Sequence, residues 1–292
     1  MQTKRQIQQL LEAECIRPNK RLGQHFLIDL NLMQLLVDSA HLQKNDIVLE
    51  VGCGTGSLTD LLAEKAGRVI AVDSDRELIE IARKQLEKAE NIDFFVSDIL
   101  ENKKTINSNV KNLIRETREK YKGRFLLVSN LPYNIASPLI FNLIMNQPRA
   151  DGMYVTVQKE VADRMIATPN SKDYGILSVF LEAMGHVKMI RKLKPTVFWP
   201  QPKVDSAMIS FVFNPEKASR IKNMELFSQI VSFFMRYRRK TLLSCSKLAV
   251  GSLKQNVNWP DVFKSSRIDS SLRPAQIFPE DYIILTQYIE KT

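Results

Sequence analysis

The apolar positions of this chain alternate between short runs and helical stripes over its first two hundred residues. Residues 4–16 read as a short polar helix, and residues 29–42 carry Leu32, Leu35, Leu36 and Ala40 at helical spacing. Ile47-Val48-Leu49-Glu50-Val51 has the length and apolar character of a buried strand, and a helix over 57–65 follows it after a glycine-rich turn. Residues 68–73 predict a second strand, 76–88 an amphipathic helix with Leu78, Ile79, Ala82 and Leu86 inward, and 91–96 a third strand. The polar stretch 101–124 predicts a surface helix around 109–121. Phe125-Leu126-Leu127-Val128 is a fourth strand, stopped by a Pro-containing turn. A helix over 138–145, a strand over 152–157, helices over 159–167 and 176–184, and strands over 186–193 and 205–213 complete the alternation. From residue 224 onward only helical spacing recurs, as in Leu226, Ile230, Phe233 and Phe234. Strands alternating with helices predict an α/β fold with a mostly parallel sheet. Asn214-Pro215 marks the expected boundary between a domain over 1–213 and a small all-α domain over 214–292.

Charge sharpens this picture. The 292 residues hold 42 Lys and Arg against 32 Asp and Glu, a formal charge of +10. Such an excess favours a polyanionic partner, nucleic acid before membrane. Arg236-Tyr237-Arg238-Arg239-Lys240 is the densest basic cluster, suited to phosphate contacts. Arg17, Lys20 and Arg21 form a second group on an N-terminal basic arm, 1–27. No apolar stretch reaches the length of a membrane span, and the first residues lack the apolar region of a secretory signal. Three scattered cysteines and three scattered histidines show neither a disulfide framework nor metal-ligand spacing, so a cytoplasmic protein without a metal is expected.

The candidate chemistry lies at strand ends, where open α/β sheets bind ligands. Gly52-Cys53-Gly54-Thr55-Gly56 joins a strand to a helix, the layout that brings backbone N–H groups against a ligand. Its G-x-G-x-G spacing differs from the G-x-G-x-x-G of nicotinamide enzymes. Asp73 ends the next strand about 20 residues on, where a carboxylate can hold ribose hydroxyls, with Asp75 the weaker candidate. Asp98 ends the third strand and could accept from an exocyclic amine or cap a helix. Asn130-Leu131-Pro132-Tyr133 then offers an amide, a rigid kink and a flat aromatic face. That set suits a planar, amine-bearing ring such as a nucleobase. It supplies no nucleophile or base for a hydrolase.

Together these motifs resemble a known family. Gly52, Gly54 and Gly56 with Asp73 look like class I S-adenosylmethionine-dependent methyltransferases, which are Rossmann-like. Asn130-Leu131-Pro132-Tyr133 is similar to the catalytic loop of ribosomal RNA adenine-N6 methyltransferases. Leu22-Gly23-Gln24-His25-Phe26-Leu27 resembles that family's cofactor lid, Val157-Gln158-Lys159-Glu160-Val161-Ala162 another of its signatures, and the segment from Phe198 to Ala207 its proline-rich block. Asp73 stands where the family commonly has Glu, and Gln201 where it has Pro. The resemblance implies S-adenosylmethionine as methyl donor, with His25, Leu27 and Asn130 joining the glycines, Asp73 and Asp98 around it. It implies Tyr133 and Phe198 flanking a flipped adenine, and N6 hydrogens accepted by the Asn130 side-chain oxygen and the Leu131 carbonyl. It further implies dimethylation of two adjacent adenines of small-subunit rRNA in an immature 30S particle, by a monomer. A large-subunit rRNA methyltransferase and a non-catalytic RNA-binding assembly factor are the alternatives that the sequence leaves open.

Overall fold

The computed structural model describes residues 1–19, 23–102, 105–255 and 257–290. Lys20 and Arg21 of the basic arm lie outside the described residues. The chain divides into two compact units, one of residues 1–162 and 188–212, the other of residues 163–187 and 213–292. In chain order the elements are α1 (Lys4–Ala13), β1 (Phe26–Leu27), α2 (Leu30–Ser39), β2 (Ile47–Val51), α3 (Ser57–Lys65), β3 (Arg68–Asp73), α4 (Arg76–Gln85), β4 (Ile92–Val96), β5 (Leu100–Asn102), β6 (Thr105–Ile106), α5 (Ser108–Lys120), β7 (Phe125–Asn130), α6 (Ala136–Met145), β8 (Gly152–Gln158) and α7 (Lys159–Met165). They continue with α8 (Ile176–Met184), β9 (Gly185–Leu193), β10 (Phe198–Trp199), β11 (Ser206–Phe213), α9 (Pro215–Ser219), α10 (Met224–Arg236), α11 (Leu242–Ser246), α12 (Ser252–Gln255), α13 (Trp259–Ser266) and α14 (Pro279–Glu290).

The first unit is built on a seven-stranded sheet in the order β4-β3-β2-β7-β8-β11-β9. β4, β3, β2, β7 and β8 are mutually parallel, and β11 runs antiparallel to β8. β2 and β3 are apolar almost throughout because helices cover both faces of a parallel sheet. Strand order reverses between β2 and β7, so their carboxyl ends flank the crevice where such folds take ligands. The β2–β7 ladder runs only from Ile47↔Phe125 to Leu49↔Leu127. Beyond it the buried Ser129 hydroxyl donates to the Val51 carbonyl at 2.6 Å. At the opposite edge the buried Asp46 carboxylate accepts from the Arg124 backbone N–H at 2.9 Å and from its guanidinium at 2.6 Å. These contacts tie β2 to β7 at both ends.

Two departures from the sequence expectation matter for the site. β7 continues past Val128 to Asn130, in register with β8, where Asn130 pairs with Thr156. Asn130 is therefore the last residue of a central strand, not a loop residue. Phe26 and Leu27 form a two-residue antiparallel ladder with Trp199 and Phe198.

In the second unit the helices close on their own aromatic core. Phe234 sits edge-on to Trp259 at 5.1 Å, and Phe180 edge-on to Phe227 at 5.1 Å. The buried Tyr174 and Tyr282 hydroxyls donate to the Ile277 and Pro274 carbonyls, which satisfies polar groups that burial would otherwise penalise. α8 belongs to this unit with the later helices. α10 ends at Arg236, so the 236–240 cluster lies at a helix carboxyl end, where cations are favoured.

Candidate active site

One cavity at the carboxyl edge of the sheet gathers most of the residues that the sequence singles out. Gly52, Gly54, Asp73, Asp98, His25 and Leu27 line it. Asn130, Leu131, Pro132 and Tyr133 complete the wall. Gly52 and Gly54 both have positive φ, 78° and 57°. A Cβ on Gly52 would meet Pro132 at 2.9 Å, and one on Gly54 the Phe26 ring at 2.8 Å. The turn is thus pressed from two sides, by the Asn-Leu-Pro-Tyr loop and by the arm. We expect Gly54→Ala to displace the arm and weaken donor binding about tenfold, combining a left-handed non-glycine backbone with the clash. Calorimetry checks this, and unchanged affinity would mean that Phe26 does not rest on the turn in solution. Gly56 lies apart from the cavity. It is the N-cap of α3, where a Cβ would press on Leu86 and Ala82.

Asp73 ends β3 with its side chain almost fully covered. One carboxylate oxygen accepts from the Gly54 N–H at 2.9 Å and the other from the Asp75 N–H at 3.0 Å. Burial pushes its carboxyl above the usual range, against the backbone N–H bonds that favour the charged form. Each carboxylate oxygen has a second lone pair for a ligand. Asp75 does not line the cavity. It caps α4 through the Glu77 and Leu78 N–H groups and accepts from the Gln24 amide at 3.0 Å. Asp98 is exposed, and its Oδ1 accepts from the Leu100 N–H at 2.9 Å, a turn that leads into β5 rather than a helix.

The Asn130 carboxamide is held at both ends. Its Nδ2 donates to the His25 carbonyl at 2.8 Å, and its Oδ1 accepts from the Thr156 hydroxyl at 2.9 Å. A carbonyl can only accept, so this pair of contacts fixes which end of the amide is oxygen. Oδ1 keeps a second lone pair for a ligand. Thr156 also takes the Leu131 N–H on its backbone carbonyl at 3.1 Å. Tyr133 shares a hydrogen bond with Ser206 at 2.7 Å and stacks on His25 with centroids 5.3 Å apart. Burial raises the Tyr133 hydroxyl pKa, so it stays neutral. His25 Nδ1 donates to the Pro200 carbonyl at 2.6 Å, which puts a proton on that nitrogen.

Phe198 is not at the cavity surface. It is 1% exposed and pairs with Leu27 in the β1–β10 ladder, beneath the arm. The contacts of four residues escaped sequence reasoning. Thr156 sits in a plain β-run, and only strand register brings it to Asn130. Phe26 and Trp199, 173 residues apart in number, stack at 6.1 Å only because the arm folds back. Glu50 lines the same cavity, and its signal was a charged residue inside an otherwise apolar strand.

A parallel sheet with a glycine turn, an acid and an Asn-Leu-Pro-Tyr loop at its switch point is the arrangement of a class I methyltransferase. The family model described as "Ribosomal RNA adenine dimethylase" matches residues 16–280. A curated relative named ribosomal RNA small subunit methyltransferase A, from Alkaliphilus oremlandii, is 36% identical over 276 residues, 94% of this chain and 92% of that protein. The protein of the same name from Alkaliphilus metalliredigens is 32% identical over 281 residues, 96% and 94% of the two chains. A dimethyladenosine transferase structure from Plasmodium falciparum superposes with TM-score 0.76 at 25% identity, covering 91% of this chain and 98% of that one. The chain belongs to the ribosomal RNA adenine dimethylase family.

Proposed function

We propose that this protein transfers methyl groups from S-adenosylmethionine to N6 of adenines in small-subunit rRNA, twice on each of two adjacent adenines of the 3′-terminal hairpin. The observation that carries this reading is that the Asn130-Leu131-Pro132-Tyr133 loop and the glycine turn line one cavity at the switch point. The cavity fits the donor. The turn is narrow where a Cβ would fill it, three carboxyl residues line the wall, and no Lys or Arg does so among the described residues. Acids without a Lys or Arg neighbour in the wall, in a chain with a large cationic excess, favour a cationic ligand. Asp73 would hold the ribose, Asp98 the exocyclic amine, and His25 and Leu27 would cover the ligand from the arm. The donor supplies an electrophilic methyl group on a sulfonium.

On the acceptor side, Tyr133 offers its ring to an adenine taken out of its stack. N6 is a weak nucleophile because its lone pair is conjugated with the ring. The Asn130 Oδ1 and the Leu131 carbonyl would accept its hydrogens and turn the lone pair out of conjugation. Thr156 and the His25 carbonyl hold the amide in place beforehand, so catalysis rests on positioning and fixed dipoles, not on a general base.

The same reading makes the protein a cytoplasmic monomer acting on immature 30S particles, with phosphates held by the 236–240 cluster. Arg236, Arg239 and Lys240 are exposed. No helix among the described residues is long and apolar enough to cross a membrane. Binding to immature 30S and 50S particles at stepped salt tests the partner. We expect preference for 30S and a steep salt dependence. In the variant with Arg236, Arg239 and Lys240 all changed to Ala, the slope of log affinity against log salt should flatten by roughly two units. A preference for 50S, or an unchanged slope in the variant, would contradict this assignment.

A further inference from the structure

Glu50 is a carboxyl buried in the cavity wall with no counterpart in the mechanism above. It is 1% exposed, on β2 immediately before the glycine turn, and it lines the cavity. Its Oε2 has no hydrogen-bond partner in the protein. The Thr59 hydroxyl on α3 stands close enough to favour its charged form but makes no hydrogen bond of good geometry. Asp73 at the end of β3 adds like charge. Cys53, on the glycine turn, is a buried thiol held well above its usual pKa, so it stays neutral. No cationic side chain offsets these acids from the wall, where His25 is the sole candidate among the described lining residues. A buried carboxyl with an unpartnered oxygen is costly, and proteins relieve the cost by protonation or by a cation.

We propose that Glu50 is a proton-exchanging counter-ion for the methyl donor: it keeps its proton until the donor's positive charge enters the cavity and loses it when that charge arrives. This rests on the S-adenosylmethionine reading above. S-Adenosylmethionine carries a sulfonium that S-adenosylhomocysteine lacks. Glu50 would therefore favour the donor over the spent product, and the carboxylate would regain its proton once the sulfonium charge is gone. Burial raises the Glu50 pKa from 4.5 to about 8 in the protein alone, so the proton is present to be released at neutral pH. The sign follows from linkage. The donor complex binds fewer protons than the free protein, so donor affinity rises with pH and levels off above about 8, by at most tenfold per pH unit. Product affinity stays flat over that range.

The test is calorimetry of the intact protein with S-adenosylmethionine and with S-adenosylhomocysteine at pH 7, in buffers of different ionisation enthalpy. We expect release of about one proton per donor bound and close to none per product bound. Glu50→Gln should abolish the release and reduce the preference for donor over product about tenfold or more. Both ligands binding with equal proton exchange would overturn the proposal while leaving the cofactor reading intact. Donor-specific proton release that persists in Glu50→Gln would also overturn it, by placing the exchange on Asp73. Failure of both ligands to bind the wild-type protein would overturn the cofactor reading and this proposal with it.

Discussion

Replacing Asn130 with Ala lowers methyl transfer by about 100- to 1,000-fold while donor affinity changes by less than about fivefold. The magnitude is that of removing one preorganised polar group from a transition-state site. The separation of the two effects follows from geometry. Asn130 ends β7, and its carboxamide is fixed by Thr156 and the His25 carbonyl, whereas the proposed donor contacts fall to Asp73 for the ribose and to Glu50 for the sulfonium. The variant also leaves the fully buried Thr156 hydroxyl without its acceptor, a stability cost of about 1–3 kcal/mol. Thermal melting should register that modest loss. Asn130→Asp makes the sharper comparison. It keeps the shape and the Oδ1 acceptor but sets a carboxylate oxygen against the His25 carbonyl, so it should be as inactive as Ala. Single-turnover transfer rates, measured beside donor affinity by calorimetry, check both variants. Equal loss of affinity and transfer would mean that Asn130 holds the site together and does not position the reacting nitrogen.

Asp73→Ala should weaken donor affinity about 10- to 100-fold and leave the transfer rate at saturating donor nearly unchanged. Two losses combine. The ribose loses its acceptor, and the Gly54 and Asp75 N–H groups lose the carboxylate that organises the turn. Asp73→Asn should be little better, because its amide nitrogen must face one of those two donors. Titration with S-adenosylmethionine separates the cases. Unchanged affinity in Asp73→Ala would mean that another group binds the ribose, although Asp75 is already occupied by the α4 cap and Gln24.

Glu50 gives a stability signature as well. Its carboxyl holds its proton more tightly in the folded chain than in the unfolded one, so its cost is absent below about 4.5. The cost grows as pH rises and is complete above about 8. That shift corresponds to roughly 4–5 kcal/mol. Glu50→Gln should therefore melt near the wild type at pH 5 and progressively above it toward pH 9. A variant less stable at every pH would mark Glu50 as a structural acceptor.

Much of this architecture was legible in the residues. β2, α3 and β3 occupy the stretches that apolar runs and glycine punctuation indicate, because a doubly covered parallel strand has little freedom in composition. The acids and the Asn-Leu-Pro-Tyr stretch were legible as strand-end groups for the same reason. What the sequence hid is non-local. Two-residue strands such as β1 and β10 have no periodicity to read, yet they lay the arm across Gly54. The hold of Thr156 on Asn130 depends on the β7–β8 register. Gly56 and Phe198 share motifs with cavity residues, but one serves a helix start and the other the packing under the arm. A motif records neighbours in sequence, and the cavity is selected by direction of side chain.

The most direct test is transfer of labelled methyl from S-adenosylmethionine to immature 30S particles, 50S particles and duplex DNA, with modified nucleosides mapped by mass spectrometry. The expected product is N6,N6-dimethyladenosine at two adjacent adenines of small-subunit rRNA, lost in Asn130→Ala. Label on 50S RNA or on DNA would contradict the substrate. No label on any of the three, with the donor still bound, would contradict the enzyme itself and leave an RNA-binding assembly factor.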